Sequence, residues 1–284
     1  LESGELLMNK LYKMFEIAMK EKFAIPSVNF VNCEMLKAYV EVVNNTKLPI
    51  IFSIAESHLT YIDLEEAFIL AKYYIKKYSL NAVIHLDHGK SLDVINKAID
   101  LGFDSIMIDG SSLEFHENVK LTKKIVEMAH SKGIFVESEI GHVGSGNLVG
   151  VSCSIDDDTI YTSKEEALEF SKLTGTDSLA ISIGTVHGSY IGEPKINFER
   201  LKEIRRELSI PLVLHGGSSS GDENLNRCVK EGINKINIYT DFIIAAKEAN
   251  DTNLGYLENK MKMKEAIKDK LNHYFKVFET KEVI

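Results

Sequence analysis

The chain has 284 residues, 44% hydrophobic and 26% charged, with a formal net charge of −9. That is enough apolar material for a full core, and the acidic balance excludes an ordinary nucleic-acid surface, since no basic cluster stands outside the C-terminal helical segment. No apolar run approaches the roughly 20 residues that span a bilayer, and the N-terminus carries no signal-peptide pattern; Met8 fits a natural start. Cys33, Cys153 and Cys228 are odd in number, widely spaced and without a CxxC pair. Such thiols suit a reducing cytoplasm, so a cytoplasmic protein without membrane or nucleic-acid partners is expected.

Apolar runs bounded by turn chemistry predict strands at 23–30 (FAIPSVNF), 49–55 (PIIFSIA), 82–87 (AVIHLD) and 104–109 (DSIMID). Four more are predicted at 133–140 (GIFVESEI), 178–183 (SLAISI), 211–215 (PLVLH) and 235–239 (KINIY). Most are continuously apolar, as parallel strands covered on both faces are. Amphipathic segments such as EMLKAYVEVVNN and FERLKEIRREL lie between them. Eight strands alternating with helices predict a single α/β domain over 1–284, a (β/α)8 TIM barrel, which typically needs roughly 250 residues. An open doubly wound sheet fits less well, because GxGxxG does not follow the first strand. Residues 141–163 interrupt the alternation after the fifth strand; a loop of that length with several glycines reads as a mobile flap. A last helix at about 257–279, with Met263, Ile267, Leu271, Tyr274 and Phe278 at three- and four-residue spacing, is expected to pack on the barrel.

Barrel enzymes place their chemistry at the C-terminal strand ends. That rule selects Asp87 and His88 after the third strand, Glu139 at the fifth, His187 beyond the sixth, His215 at the seventh, and Asn237 to Thr240 at the eighth. Of nine histidines, His116, His130 and His273 read as solvated surface, and His58 and His142 as candidate contributors in rim loops. His85 alternates with Asp87 and reads as a packed group inside the barrel. His88, His187 and His215 each precede a glycine at a strand end. Three neutral imidazoles with one open position form a catalytic zinc arrangement, and such a metal polarises a carbonyl. Glycine after each histidine lets backbone N–H groups approach a ligand. The loops after the seventh and eighth strands, Gly216–Ser220 and Asn237–Thr240, are where barrels often bind phosphate. The expected substrate is therefore a small phosphorylated carbonyl compound. Lys235 reads as the start of the eighth strand, on the far rim, so no Schiff-base lysine is expected.

The motifs HLDHG, VESEIG, IGTVHGSYIGEPKINFERL, LVLHGGSS and GINKINIYTD, in this order, resemble the zinc-dependent class II ketose-bisphosphate aldolases, including the fructose- and tagatose-1,6-bisphosphate enzymes. The resemblance implies zinc on His88, His187 and His215, Asp87 as the acid/base, and Glu139 close to the metal. It implies a dihydroxyacetone-phosphate site at Gly188, Gly217, Ser218, Asn237, Ile238, Tyr239 and Thr240, with a monovalent cation (Na+ or K+) beside the phosphate. A homodimer or homotetramer is the usual assembly. The implied reaction is reversible cleavage of a ketose 1,6-bisphosphate to dihydroxyacetone phosphate and glyceraldehyde 3-phosphate. HGGSS and KINIYTD lean towards fructose; tagatose or another phosphorylated ketose is the alternative.

Three departures bear on that choice. Relatives carry acidic residues in the loop after the fifth strand, one of them a mobile proton-transfer group, where this chain has Gly146 and Asn147; either His142 or another loop residue substitutes, or that step is slow. The second strand ends SIAESH, with Ala55 near a common serine and Glu56, Ser57 and His58 unusual. Tyr239 stands where fructose enzymes commonly have aspartate and tagatose enzymes a small residue. Two other function classes fit the sequence less well. A metal-dependent hydrolase on the same barrel usually begins with HxH on the first strand, which FAIPSVNF lacks. A non-catalytic sugar-phosphate sensor would bind without turnover.

Overall fold

A computed structural model describes residues 9–141, 144–145, 161–188 and 194–283. Helix α1 (Lys10–Glu21) precedes eight strands: β1 (Ile25–Asn29), β2 (Ile50–Ala55), β3 (Ala82–Gly89), β4 (Ser105–Ile108), β5 (Phe135–Ile140), β6 (Ser178–Ile181), β7 (Leu212–Leu214) and β8 (Ile233–Ile238). All pairings are parallel, each strand lies beside the next in sequence, and β8 closes onto β1. The strands are followed in turn by α2 (Cys33–Thr46), α3 (Leu64–Tyr78), α4 (Leu92–Leu101), α5 (Phe115–His130), α6 (Lys164–Thr174), α7 (Phe198–Glu207), α8 (Asp222–Lys230) and α9 (Thr240–Ala249). This is the predicted (β/α)8 barrel. Local chemistry sets the helix starts: Ser91 Oγ accepts from the Val94 N–H at α4, and Ser163 with Glu166 forms a capping box at α6.

The last helix, α10 (Tyr256–Val277), packs against α2 and α9. Ile267, Leu271 and Tyr274 are buried as their spacing predicts, as is Phe278 at its C-cap, while Met263 is half-buried and Phe275, not foreseen, is buried too. Helix α1 escaped the sequence reading, although Leu11, Met14, Phe15 and Ala18 have helical spacing and are buried. They pack on Phe23, Ile25, Ile51, Val83 and Phe135 at the N-terminal ends of the strands. That end of the barrel is therefore plugged by apolar side chains, while the C-terminal end carries the polar ones.

Two boundaries differ in ways that matter. The sixth strand ends at Ile181 rather than 183, and a separate two-residue ladder pairs Val186–His187 with Gly144–Ser145. The eighth begins at Ile233, so Lys235 lies inside the strand rather than at its start. Its side chain is 1% exposed in the barrel interior, not on the far rim. Among the described residues no helix is long and apolar enough to cross a membrane. Cys33 and Cys228 are free thiols. His142, Gly146, Asn147 and Cys153 lie outside the described residues, as does the side chain of His187.

Candidate active site

Strand alternation stacks polar residues inside the barrel in layers, because residues i and i+2 share a face. His85 and Asp87 come from β3, Glu137 and Glu139 from β5, and Lys235 and Asn237 from β8, all buried. In the lower layer Lys235 Nζ lies 2.8 and 2.7 Å from the oxygens of Glu137 and 3.3 Å from His85 Nε2. His85 Nδ1 lies 2.8 Å from Ser105 Oγ, so the sequence reading of His85 as an interior group holds. Glu137 then reaches upward: its Oε1 is 3.0 Å from His215 Nε2.

Alternation alone would turn His88 away from the cavity that Asp87 faces. The β3–β4 register, however, shifts between Leu86 and Gly89, and His88 has a left-handed backbone, φ 45°. A bulge of this kind re-aims a side chain at a local cost of about 1–3 kcal/mol. Gly89 follows because a Cβ there would lie 2.6 Å from the Met107 carbonyl oxygen. Its role is close strand packing, not the ligand approach expected of all three glycines. Gly216 likewise makes room for the Val186 backbone at φ 67°, whereas a Cβ on Gly188 would meet none of the described residues.

The result brings His88 Nε2 within 2.9 Å of His215 Nδ1. The opposite nitrogens face carboxylates, Asp109 Oδ2 at 2.9 Å from His88 Nδ1 and Glu137 at His215 Nε2. A carboxylate behind an imidazole holds the N–H on its own side and turns the other lone pair inward, the arrangement seen behind metal-bound histidines. Ligand atoms of Asp87, His88 and His215 lie within 4.8 Å of one another, as do those of His88, Asp109 and Glu139. Both oxygens of Asp87 accept amide N–H groups, from Asn29 and Asn237, each at 2.9 Å. Among the described residues, Glu139 Oε2, Asn237 Oδ1 and His58 Nδ1 are buried without a hydrogen-bond partner, and all three residues line one cavity of about 750 Å³ at the barrel mouth. Orphaned polar atoms converging on one cavity mark a place where a ligand completes the bonding.

The electrostatics agree. Burial alone would raise the Asp87 carboxyl, but the neighbouring charges of His88, His215, Lys235 and His85 hold it well below the usual range. Burial would lower His88, yet Asp87, Asp109 and Glu139 raise it to about 9. Desolvation raises Glu139 and, with Lys235 beside it, lowers His85 to about 3. The carboxylates around His88 therefore stabilise a positive charge at that point. Imidazole and carboxylate donors around such a point fit a divalent transition metal.

The chain matches the family described as fructose-bisphosphate aldolase class-II over residues 9–282. It belongs to the class II fructose-bisphosphate aldolase family. Solved structures of aldolases are among those that share its fold. The YdjI aldolase from Escherichia coli K12 is 31% identical, with TM-score 0.84, covering 94% of this chain and 96% of that one. A putative fructose-1,6-bisphosphate aldolase from Coccidioides immitis is 26% identical, with TM-score 0.86 and coverage of 96% and 97%. The Campylobacter jejuni fructose-bisphosphate aldolase, at 23% identity, TM-score 0.81 and coverage of 96% and 95%, matches in fold. The chemistry is thus that of an aldolase, a lyase, in a family that is typically metal-dependent.

On this class II scaffold the residues expected around the phosphate have distinct surroundings. Gly188, Ser218, Asn237, Ile238, Tyr239 and Thr240 line the cavity, with Gly216 rather than Gly217. The Gly217 N–H is directed to the Asn237 carbonyl at 3.3 Å. Ser218 Oγ accepts from the backbone N–H of Tyr239 and Asp241, capping α9 and joining the two loops. The Asn237 side chain serves Asp87, and the Ile238 side chain is part of the core. Asp109, Asn29 and Glu137 were not singled out from sequence. Asp109 and Asn29 sit at the ends of predicted strands, so the rule that selected Asp87 also reaches them. Glu137 is one alternation below the rim, and no linear signal marks it.

Proposed function

We propose that this protein is a zinc-dependent aldolase that reversibly cleaves a ketose 1,6-bisphosphate, fructose 1,6-bisphosphate favoured, to dihydroxyacetone phosphate and glyceraldehyde 3-phosphate. The observation that carries the reading is the convergence of His88 Nε2 and His215 Nδ1 at 2.9 Å beside Asp87, each imidazole backed by a carboxylate. His88, His215 and, from the resemblance, His187 would hold the zinc, with Glu139 close by. Zinc there would polarise the substrate carbonyl and stabilise the negative charge left when the C3–C4 bond breaks.

Asp87 takes the proton of the C4 hydroxyl as that bond breaks and returns it in the reverse direction, a role worth about 10²–10⁴ in rate. Asn29 and Asn237 hold its two oxygens, fixing the orientation and favouring the ionised base. The loops at Gly188, Gly217–Ser218 and Asn237–Thr240 bind the phosphate, where the positive end of the α9 dipole favours an anion. A Na+ or K+ ion beside that phosphate, a homodimer or homotetramer, and a cytoplasmic location complete the proposal. Tagatose 1,6-bisphosphate or another phosphorylated ketose is the second reading; Tyr239, which fits neither the aspartate of fructose enzymes nor the small residue of tagatose enzymes, and His58 lie on the cavity wall and keep it open.

The test is a coupled triose-phosphate release assay on zinc-loaded protein with fructose and tagatose 1,6-bisphosphate, repeated after chelation. Chelator-sensitive release with one sugar preferred supports the proposal and selects the substrate. Zinc-loaded protein that releases triose from neither sugar contradicts it and points to another phosphorylated ketose or to a sensor.

A further inference from the structure

His58 belongs to neither the metal cluster nor the phosphate loops, yet it is fixed in the cavity wall. It ends the short 3-10 turn Glu56–His58 directly after β2. Glu56 Oε2 anchors that turn by accepting the backbone N–H groups of Lys90 and Ser91 at 2.6 and 3.0 Å, at the start of α4. The His58 ring packs against Tyr239, centroids 4.4 Å apart and planes tilted by 41°, while its Nδ1 is buried without a hydrogen-bond partner among the described residues. A ring packed in this way with an unsatisfied nitrogen is costly unless a ligand supplies the missing bond.

Barrel topology shows what such a ligand would be. The phosphate loops follow β6, β7 and β8, and the His88–His215–Asp87 cluster stands at the centre of the mouth. A ketose phosphate held at those loops, with its reacting carbons at the centre, extends its remaining carbons towards the loops after β2, β3 and β4. His58, Lys90, Ser111 and Ser112 line that side. Burial also lowers the His58 pKa, which favours the neutral imidazole. A neutral imidazole offers one acceptor and one donor, the complement of a hydroxyl group. We propose that His58, braced by Tyr239, is a specificity-determining residue that hydrogen-bonds a hydroxyl on the aldehyde half of the substrate, the carbons beyond the cleaved bond. This rests on the aldolase reading above.

Two variants separate the ring from its nitrogen. His58→Phe keeps the ring packing and removes the nitrogen; His58→Asn keeps a polar atom near the Nδ1 position. In the condensation direction, His58→Phe is expected to raise KM for glyceraldehyde 3-phosphate roughly threefold to tenfold, the worth of one hydrogen bond. KM for dihydroxyacetone phosphate should stay within about twofold, and His58→Asn should recover much of the loss. Equal effects on both substrates, or none, overturn the assignment.

A second measurement does not depend on turnover. In zinc-loaded Asp87→Asn protein with labelled histidine, the His58 ring resonance is assigned by its loss in His58→Phe. It should shift with fructose or tagatose 1,6-bisphosphate and remain in place with dihydroxyacetone phosphate. A shift in protein whose wild type shows no turnover would retain the His58 assignment and remove the aldolase reading. Turnover in the wild type, with no ketose-specific shift, would do the reverse.

Discussion

The Lys235 ammonium and the Glu137 carboxylate form a salt bridge with both side chains 1% exposed, and the same carboxylate holds His215 Nε2 at 3.0 Å. A buried ion pair thus stands directly behind the rim cluster. Removing one partner of such a pair leaves an uncompensated charge, at about 3–5 kcal/mol. Lys235→Met is expected to lose that much in urea unfolding. The double variant Glu137→Leu/Lys235→Met should regain most of the stability but bind metal less tightly, because His215 has lost its carboxylate. Recovery of both properties would detach Glu137 from the site.

Glu137 also sets an acid limit. Burial would raise its carboxyl, but Lys235, and then His215, outweigh burial and pull it from 4.5 to about 2. A depressed carboxyl contributes stability that is fully present above its unfolded value and lost as pH falls through the folded one. Unfolding free energy should therefore decline between pH 4.5 and about 2. In Glu137→Gln the slope across that window should be shallower by about one proton. Identical slopes would show that this group does not carry the acid sensitivity.

Asp87 is held by two amides rather than by the metal cluster alone. Asp87→Ala should retain zinc and lose about 10²–10⁴ in turnover. Metal content by elemental analysis and triose release from the same sample check the pair of outcomes. Unchanged turnover would remove Asp87 from the mechanism.

Replacing His88, His187 or His215 by alanine should strip metal affinity. Asp109→Asn, which removes the carboxylate behind His88 Nδ1 while leaving the three histidines in place, should weaken it by about 10–100-fold. Competition with a chromophoric chelator measures both. Tight zinc retention in all three histidine variants would contradict the ligand set.

Lys235, engaged by Glu137 in the barrel interior, is not placed to serve as a Schiff-base amine. Borohydride added with substrate should leave activity intact. Rapid inactivation accompanied by reductive labelling of a lysine would replace the metal mechanism with an imine one.

Much of this was legible along the chain. Continuous apolar runs and amphipathic spacers specify β/α alternation, because burial on two faces leaves a local signature. The strand-end rule then places Asp87, His88 and His215 on one rim, and the structure brings those three together. What the tertiary structure alone decided was orientation and partnership. His88 faces the cavity through a bulge visible only in the β3–β4 register. Lys235 lies inside the barrel because β8 starts at Ile233, a boundary that local propensity does not mark. Helix α1 acquires its role only when the closed barrel presents a ring of apolar strand starts for it to cover. Alternation and apolar periodicity are properties of neighbouring residues. Glu137 with His215, Asp109 with His88 and His58 with Tyr239 are separated by 78, 21 and 181 positions; the β3–β4 pairing makes the second a pair, the curved barrel interior the first, and closure of β8 onto β1 the third.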